Sequence, residues 1–168
     1  MSSFTAGWYL LYTRPKHERK VAEHLATQKL DYYLPMFTTV RNSSDRARIV
    51  SMPLFPSYVF IRLEKHFDYF AGLNTDGVLH YVRFGGKVAR IADSVVKNLK
   101  LLVEHGGNLE VTSTEFKKGQ ILTISEGPLT GLTCEMVQYK RKKRILVRIN
   151  LLERNILLEM PIEQVVMI

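Results

Sequence analysis

The sequence has a single cysteine, Cys134, among its 168 residues. One cysteine can form neither an internal disulfide nor a cysteine-rich zinc site. A chain without disulfides is typical of a reducing compartment, so we expect a cytoplasmic protein. Long apolar runs are also missing, since none approaches the roughly 20 residues of a membrane span. The first residues lack a basic stretch followed by an apolar stretch, so we expect no signal peptide.

Patterns typical of catalysis or of a bound cofactor are missing too. Gly85-Gly86-Lys87 lacks the glycine spacing and the following Ser or Thr of a phosphate-binding loop. The five histidines show no metal-ligand spacing. Cys134 has no partner nearby in sequence that would activate it as a nucleophile. We therefore predict a protein that is not an enzyme and that needs no cofactor and no metal.

Positive charge is in excess. The chain has 24 Lys and Arg against 16 Asp and Glu, a formal net charge of +8. This excess favours nucleic acid or an acidic protein surface as the partner. A basic amphipathic helix with a strong apolar face, which would suit an anionic membrane, is not found. We therefore expect no membrane partner.

One short run, 58–63, organises the first half of the chain. It is aromatic and β-branched without a strand breaker, which predicts a strand. Alternation along a strand sorts its side chains into two faces, Val59, Ile61 and Leu63 on one and Tyr58, Phe60 and Arg62 on the other. The aliphatic face is typical of a core. The second face combines aromatics with a cation and indicates a docking surface. The alternative is that helices cover both faces, with Arg62 at an edge.

Residues 1–106 predict an α+β domain. The pattern favours strands at 7–13, 31–37, 58–63, 78–84 and 87–91, and helices at 16–30, 65–72 and from 93 or 94 to about 105. The polar, turn-rich segment 38–51 predicts the tip of a long hairpin leading into strand 58–63. This order favours a small antiparallel sheet with helices packed on it.

The remainder of the chain has a different sequence pattern. Residues 107–117 are polar and turn-rich, which predicts a linker between domains 1–106 and 118–168. Short strands are predicted at 120–125, 133–139, 145–151, 156–160 and 165–167, a pattern that indicates a small closed β-barrel. Gly127 and Gly131 flank a tight loop that needs backbone freedom. This pattern resembles the KOW motif of SH3-like barrels.

The motifs of the first domain come in the order of a NusG N-terminal domain. They are Trp8-Tyr9-Leu10-Leu11-Tyr12, Glu23-His24-Leu25, Pro53-Leu54-Phe55-Pro56-Ser57-Tyr58-Val59-Phe60, Gly77-Val78 and Val82-Arg83-Phe84-Gly85. Nearly the whole chain resembles NusG-type proteins, and the specialised RfaH- and UpxY-type antiterminators more than housekeeping NusG. The resemblance implies a transcription elongation and antitermination factor. Such proteins bind the clamp helices of bacterial RNA polymerase and bridge the cleft over the nucleic acids. They suppress pausing and termination in specific long operons.

The resemblance also implies two sets of binding residues. The set for the polymerase clamp helices is Tyr12, Phe55, Tyr58, Phe60, Phe84, Val96 and Leu99. Aromatic residues suit this role because a few of them carry most of an interface's binding energy. The set for the displaced non-template DNA strand is Arg14, Lys16, Lys20, His24 and Thr75. The alternatives are that some of the first set, Phe55 and Leu99 foremost, are core residues, and that the second set is a solvated helix face.

The chain departs from the RfaH-type pattern at two places. Asp76 stands where that pattern has an arginine, so a DNA contact is lost or a different DNA sequence is read. The threonine-rich loop that touches the opposite side of the cleft is replaced by Asp-Tyr-Phe-Ala at 68–71. RfaH-type proteins can also refold the second domain as a helical hairpin. Here the glycine-bounded turns and the β-branched residues favour the barrel.

Five consecutive cations, Lys140–Arg144, lie between two predicted strands and predict a hairpin tip. Adjacent cations repel one another and stay solvated, so the run is either a solubilising loop or a site for RNA or a ribosomal protein. The alternative function is therefore a KOW-type RNA-binding or ribosome-associated protein. In that case Tyr58 and Phe60 would stack on RNA bases. We expect a monomer.

Overall fold

The computed structural model describes residues 4–105, 109–112, 114–115, 117–124, 132–149, 154–158 and 165–167. The chain divides into two units, Met1–Val96 and Lys97–Ile168. This division falls inside the helix Asp93–His105. The boundaries at 106 and 118 that composition favours stay a prediction.

The first unit is an α+β structure with antiparallel sheets, as the sequence predicts. Its strands are β1 (Gly7–Thr13), β2 (Asp31–Tyr33), β3 (Met36–Ser43), β4 (Arg46–Pro53), β5 (Tyr58–Leu63), β6 (Val78–Tyr81), β7 (Arg83–Phe84), β8 (Lys87–Val88) and β9 (Arg90–Ile91). The helices are α1 (Glu18–Thr27), α2 (His66–Leu73) and α3 (Asp93–His105), the last continuing into the second unit. None of the described helices is long and apolar enough to cross a bilayer.

The main sheet places β1 at its centre. The strand order is β2-β5-β1-β6, with β9 also paired to β1. One face of β5, Val59, Ile61 and Leu63, is fully buried and packs with Val21 and Leu25 of α1. Burial of these aliphatic side chains stabilises the unit by roughly 1.5–3 kcal/mol each. The aliphatic face predicted from alternation is therefore the core.

Several elements differ in extent from their prediction. The first helix begins at Glu18, because Lys16 has a φ of 63° and so lies in a left-handed turn before it. The strand predicted at 31–37 is interrupted before Met36, at a place where Pro35 has no N–H to donate. The hairpin predicted around 38–51 is confirmed. It is longer than predicted, since β3 and β4 pair from Met36–Pro53 to Ser43–Arg46.

The second unit contains an antiparallel sheet of six strands. They are β10 (Leu109–Thr112), β11 (Gln120–Ile124), β12 (Thr133–Tyr139), β13 (Lys142–Ile149), β14 (Arg154–Leu158) and β15 (Val165–Met167). Their order is β10-β14-β13-β12-β11-β15, and no described pairing joins the two outer strands. All five predicted strands are present. The sixth, β10, lies within the predicted linker and pairs with β14, while Gly127 and Gly131 lie outside the described residues.

Candidate functional site

Burial divides the seven residues predicted to bind polymerase into two groups. Phe55, Phe60, Val96 and Leu99 are at most 3% exposed. Tyr12 and Tyr58 are half-buried, and Phe84 is 80% exposed. Only the second group presents aromatic surface to a partner in this arrangement.

Phe60 is a core residue, which corrects the interpretation of the whole second face of β5 as a docking surface. Its ring centroid lies 6.5 Å from that of Phe55 and 6.1 Å from that of Tyr33. Phe60 is also the register partner of Leu10 on β1, which is fully buried. Apolar neighbours therefore surround Phe60, although Arg62, two positions along the same face, is half-exposed and ion-paired with Glu64 at 2.5 Å.

At the other end of this face, three rings meet at the surface. Tyr12 pairs with Tyr58 on β5 and with His80 on β6, so all three side chains lie on one face of the sheet. The centroid of Tyr12 is 5.4 Å from Tyr58 and 5.1 Å from His80, and Tyr12 and His80 are stacked. We call Tyr12, Tyr58 and His80 the tyrosine cluster. It lines a shallow cavity of about 580 Å³ together with Tyr81, Val82 and Arg83.

A buried carboxylate holds the turn that leads into Tyr58. Glu18, at the start of α1, is 5% exposed, and its Oε1 accepts the Ser57 N–H at 2.7 Å. The Ser57 carbonyl accepts the Thr13 N–H at 2.8 Å, and Ser57 has a φ of 70°. These bonds tie the end of β1, the start of α1 and the start of β5 together. These bonds therefore fix the positions of Tyr12 and Tyr58 relative to each other.

The basic residues predicted to contact DNA are not a single helix face. Arg14 precedes the helix, and its N–H donates to the Gly77 carbonyl at 2.9 Å. Lys16 lies in the turn, while Lys20 and His24 are on α1. The side chains of Arg14, Lys16 and Lys20 are exposed, and that of His24 is half-buried. Of the predicted DNA-binding residues, only Lys20 and His24 therefore lie on α1 itself.

Thr75 does not offer its hydroxyl to a ligand. It is 5% exposed, and its hydroxyl donates to the Ala71 carbonyl at 2.8 Å and accepts from Gln28 Nε2 at 3.0 Å. Both bonds hold the residues after α2 against α1. The interpretation of Thr75 as a DNA contact is therefore corrected to a structural role for this side chain.

Asp76 lies among the predicted DNA-binding cations. Its Oδ2 is 3.1 Å from Lys20 Nζ. The pKa of the Asp76 carboxyl is lowered, first by the hydrogen bond and charge of Lys20 and further by the charges of Arg14 and His24. Asp76 therefore stays ionised and offsets part of the positive potential of this surface. We call Arg14, Lys20, His24 and Asp76 the α1 charge cluster.

In the second unit, the predicted cationic hairpin tip is confirmed. Lys140 and Arg141 form the turn between β12 and β13, with φ values of 49° and 65°. Glu110 on β10 lies 3.6 Å from Lys140 and 3.9 Å from Arg144. One carboxylate therefore offsets part of this charge, while Arg141 and Lys143 are exposed.

Among the described residues, no group of three or more His, Cys, Asp and Glu could hold a metal ion. Burial raises the pKa of the Cys134 thiol to about 11, which leaves it without the thiolate that a reactive cysteine needs. The described surface does offer a cluster of half-buried and exposed rings next to a charged helix. Such a combination is typical of proteins that bind macromolecules.

Comparison with known proteins defines the family. Residues 6–100 match the family described as "Transcription termination factor nusG", so the chain belongs to the NusG family. The "Transcription termination/antitermination protein NusG" of Streptococcus pyogenes is 23% identical over 154 residues, which cover 85% of this chain and 86% of that protein. A solved structure titled "Domain interaction in Thermotoga maritima NusG" is similar with a TM-score of 0.54 at 19% identity, covering 98% of both chains. The NusG family predicted from the sequence motifs is thereby confirmed, and so is the predicted α+β fold with antiparallel sheets.

Proposed function

We propose that this chain is a specialised NusG-family factor that binds bacterial RNA polymerase and suppresses pausing and termination in specific long operons. Membership of a family of transcription termination and antitermination factors supports the general role. The tyrosine cluster, whose rings are half-buried or exposed at the surface, is the observation that supports polymerase binding. The factor acts as a monomer in the cytoplasm, by binding and without chemistry of its own.

The polymerase contact centres on Tyr12 and Tyr58 and is made to the clamp helices. Tyrosine is enriched among the residues that dominate interface energies, because it buries a large ring and keeps a polar hydroxyl. The cavity beside these rings gives a partner side chain room to enter. Phe84, exposed at the tip of the β7–β8 hairpin, extends the contact. Phe55 and Phe60 are buried against each other and make no part of this contact, and neither do the buried side chains of Val96 and Leu99 on α3.

The α1 charge cluster lies beside the non-template DNA strand in this proposal. Arg14, Lys16, Lys20 and His24 supply cations for backbone phosphates, and such binding weakens as salt rises. Asp76 weakens this phosphate binding, because its carboxylate forms an ion pair with the Lys20 ammonium group. We therefore expect this surface to bind single-stranded DNA with low affinity.

Replacing Asp76 by asparagine is expected to tighten the binding of a single-stranded oligonucleotide. The change frees Lys20 for a phosphate, so a plot of log affinity against log salt should become steeper by about 0.7. Fluorescence anisotropy with a labelled oligo-dT measures both quantities. Glu104→Gln is the matched control, since Glu104 is exposed on α3 and its removal changes the net charge equally. Equal gains in both variants would show that total charge alone matters.

The second unit closes as a KOW SH3-like barrel in this proposal. The run of antiparallel strands β11 to β14, with β15 returning beside β11, supports it. Nuclear Overhauser effects linking the two outer strands of the sheet would show closure, and their absence would leave an open sheet. The exposed Arg141 and Lys143 support the second candidate function, the binding of RNA or a ribosomal protein through this unit.

Transcription by purified bacterial RNA polymerase tests the proposed function. We expect the protein to remain on stalled elongation complexes at moderate salt, to shorten pauses and to lower the terminated fraction of transcripts. Apolar contacts weaken little with salt, so retention should persist where phosphate contacts fail. If polymerase does not retain the protein, and structured RNA binds it with a steep salt dependence, the RNA-binding alternative replaces this proposal.

A further inference from the structure

Glu18 is a buried carboxylate whose placement is not explained by the stability of its helix. It is the acidic residue in the first turn of α1 and is 5% exposed. The helix dipole would favour this charge equally if the carboxylate pointed to solvent, where it would keep its hydration. Burying a carboxylate costs free energy unless hydrogen bonds replace the lost water. Here the Ser57 N–H donates such a bond at 2.7 Å, from the turn that precedes β5.

The turn before β5 has a conformation that its sequence disfavours. The Tyr58 N–H donates to the Phe55 carbonyl at 3.2 Å, which makes residues 55–58 a β-turn. Pro56 occupies the second position, and Ser57, with a φ of 70°, occupies the third. This combination is that of a type II turn, whose third position favours glycine because it lies in the left-handed region. A serine there is held only by contacts from outside the turn.

Two elements supply these contacts to Ser57. Its N–H donates to Glu18 Oε1 on α1, and its carbonyl accepts the Thr13 N–H at the end of β1 at 2.8 Å. Both backbone groups of Ser57 are therefore bonded outside the turn. Because Tyr12 precedes Thr13 and Tyr58 follows Ser57, these bonds act on the residues next to both tyrosines.

The start of α1 also lies against the segment that carries the third ring of the tyrosine cluster. The register of β1 with β6 shifts after Tyr12, which leaves Leu79 out of the pairing and places His80 opposite Tyr12. A bulge of this kind re-aims the side chains beside it. Gly77, just before β6, lies so close to α1 that a Cβ there would be 2.9 Å from Val21 Cγ2. Helix α1 therefore contacts the segments that lead into both β5 and β6.

We propose that Glu18 is a positioning residue for polymerase binding. Its carboxylate holds the turn at Ser57 and thereby keeps Tyr12 and Tyr58 in the arrangement that the partner binds. Ordering side chains on association costs affinity, so rings that are already fixed bind more tightly than mobile rings. This inference rests on the proposed contact between the tyrosine cluster and polymerase.

Replacing Glu18 by alanine removes the acceptor and leaves the Ser57 N–H without its partner. We expect the affinity of the full chain for immobilised bacterial RNA polymerase to fall about tenfold, because two rings must then be ordered on binding. Glu18→Gln keeps an acceptor oxygen at the same place along the side chain, so this variant should recover most of the lost affinity. Biolayer interferometry gives the affinities, and urea denaturation gives the folded fraction by which each is corrected. Equal losses in the alanine and glutamine variants would overturn the inference.

A second substitution tests whether Glu18 acts through the turn. Ser57→Gly favours the left-handed conformation without help from outside the turn. Combined with Glu18→Ala, it should restore part of the lost affinity. A loss that Ser57→Gly leaves unchanged would contradict the inference, because Glu18 would then act by another route.

Ala22→Gly is the control for general destabilisation of the helix. Ala22 is 6% exposed on α1, and glycine at this position weakens the helix while the Glu18 carboxylate is kept. The folded fraction of this variant should bind polymerase as the wild type does. A loss as large as that of Glu18→Ala would count against a positioning role, since any damage to α1 would then suffice.

The free protein offers a readout that needs no polymerase. In the wild type, the Ser57 amide hydrogen should exchange slowly with solvent, and nuclear Overhauser effects should connect the rings of Tyr12 and Tyr58, whose centroids are 5.4 Å apart. Both signals should weaken in Glu18→Ala and persist in Glu18→Gln. If they are unchanged in Glu18→Ala, the carboxylate does not position the rings and the inference fails.

The double variant Tyr12→Ala, Tyr58→Ala separates this inference from the proposed function. Normal affinity of Glu18→Ala beside a loss in the double variant would overturn the inference and leave the proposed function intact. Normal affinity in both would overturn the proposed function and the inference with it. Losses in both, with recovery in Glu18→Gln, are the expected result.

Discussion

Replacing Phe60 by alanine is expected to lower the free energy of unfolding by about 3–5 kcal/mol. Phe60 is 1% exposed, and its ring lies against those of Phe55 and Tyr33. Truncation removes apolar contacts and leaves a cavity that the paired strands β1 and β5 cannot close without moving. Urea denaturation of the full chain, followed by tryptophan fluorescence of Trp8 on β1, measures the change.

The matched control is Phe84→Ala. Phe84 is 80% exposed, so its truncation should change the free energy of unfolding by no more than about 0.5 kcal/mol. A Phe60→Ala protein as stable as the wild type would contradict the core assignment and return Phe60 to the surface. If the variant is destabilised and still binds polymerase in proportion to its folded fraction, Phe60 acts as support for the contact and not as part of it.

Alternation in the sequence predicts the two faces of β5 but not what covers each of them. Val59, Ile61 and Leu63 are buried, as an aliphatic face should be. Tyr58 and Phe60 share the other face, yet one is half-buried and the other fully buried. Burial there depends on Phe55 and Tyr33, which reach Phe60 from outside the strand. A pattern within six residues contains no information about such neighbours.

The sequence predicts those residues of the candidate site that lie within a local motif. It does not predict the residues that strand pairing brings to the site. Tyr12 and Tyr58 follow from the family motifs. His80 joins them only through the register of β1 with β6, which no single-strand pattern fixes. The Lys20–Asp76 ion pair joins residues 56 positions apart in the sequence. The sequence therefore shows that Asp76 replaces the arginine of the RfaH-type pattern, but it does not show that Asp76 pairs with Lys20. Strand β10 was missed because a polar segment predicts a linker unless its partner strand is known.

Replacing both Tyr12 and Tyr58 by alanine is expected to weaken polymerase binding by about 2 kcal/mol or more, roughly 30-fold. Both rings contribute surface to the same shallow cavity, so the double variant removes two of the aromatic side chains that line it. Because both are half-buried at the end of the sheet, the cost in stability should be smaller than that of Phe60→Ala. Biolayer interferometry with immobilised bacterial RNA polymerase at moderate salt gives the affinities.

Tyr32→Ala is the control for a lost aromatic ring outside the tyrosine cluster. Tyr32 is 40% exposed and pairs with Ile61, so its side chain lies on the opposite face of the sheet from Tyr58. This variant should bind polymerase as the wild type does. If the double variant also binds normally while wild-type binding is tight, the clamp-helix contact lies elsewhere, and Phe84 on its separate hairpin becomes the first residue to replace. A loss confined to the double variant would locate the contact where β1, β5 and β6 bring their rings together.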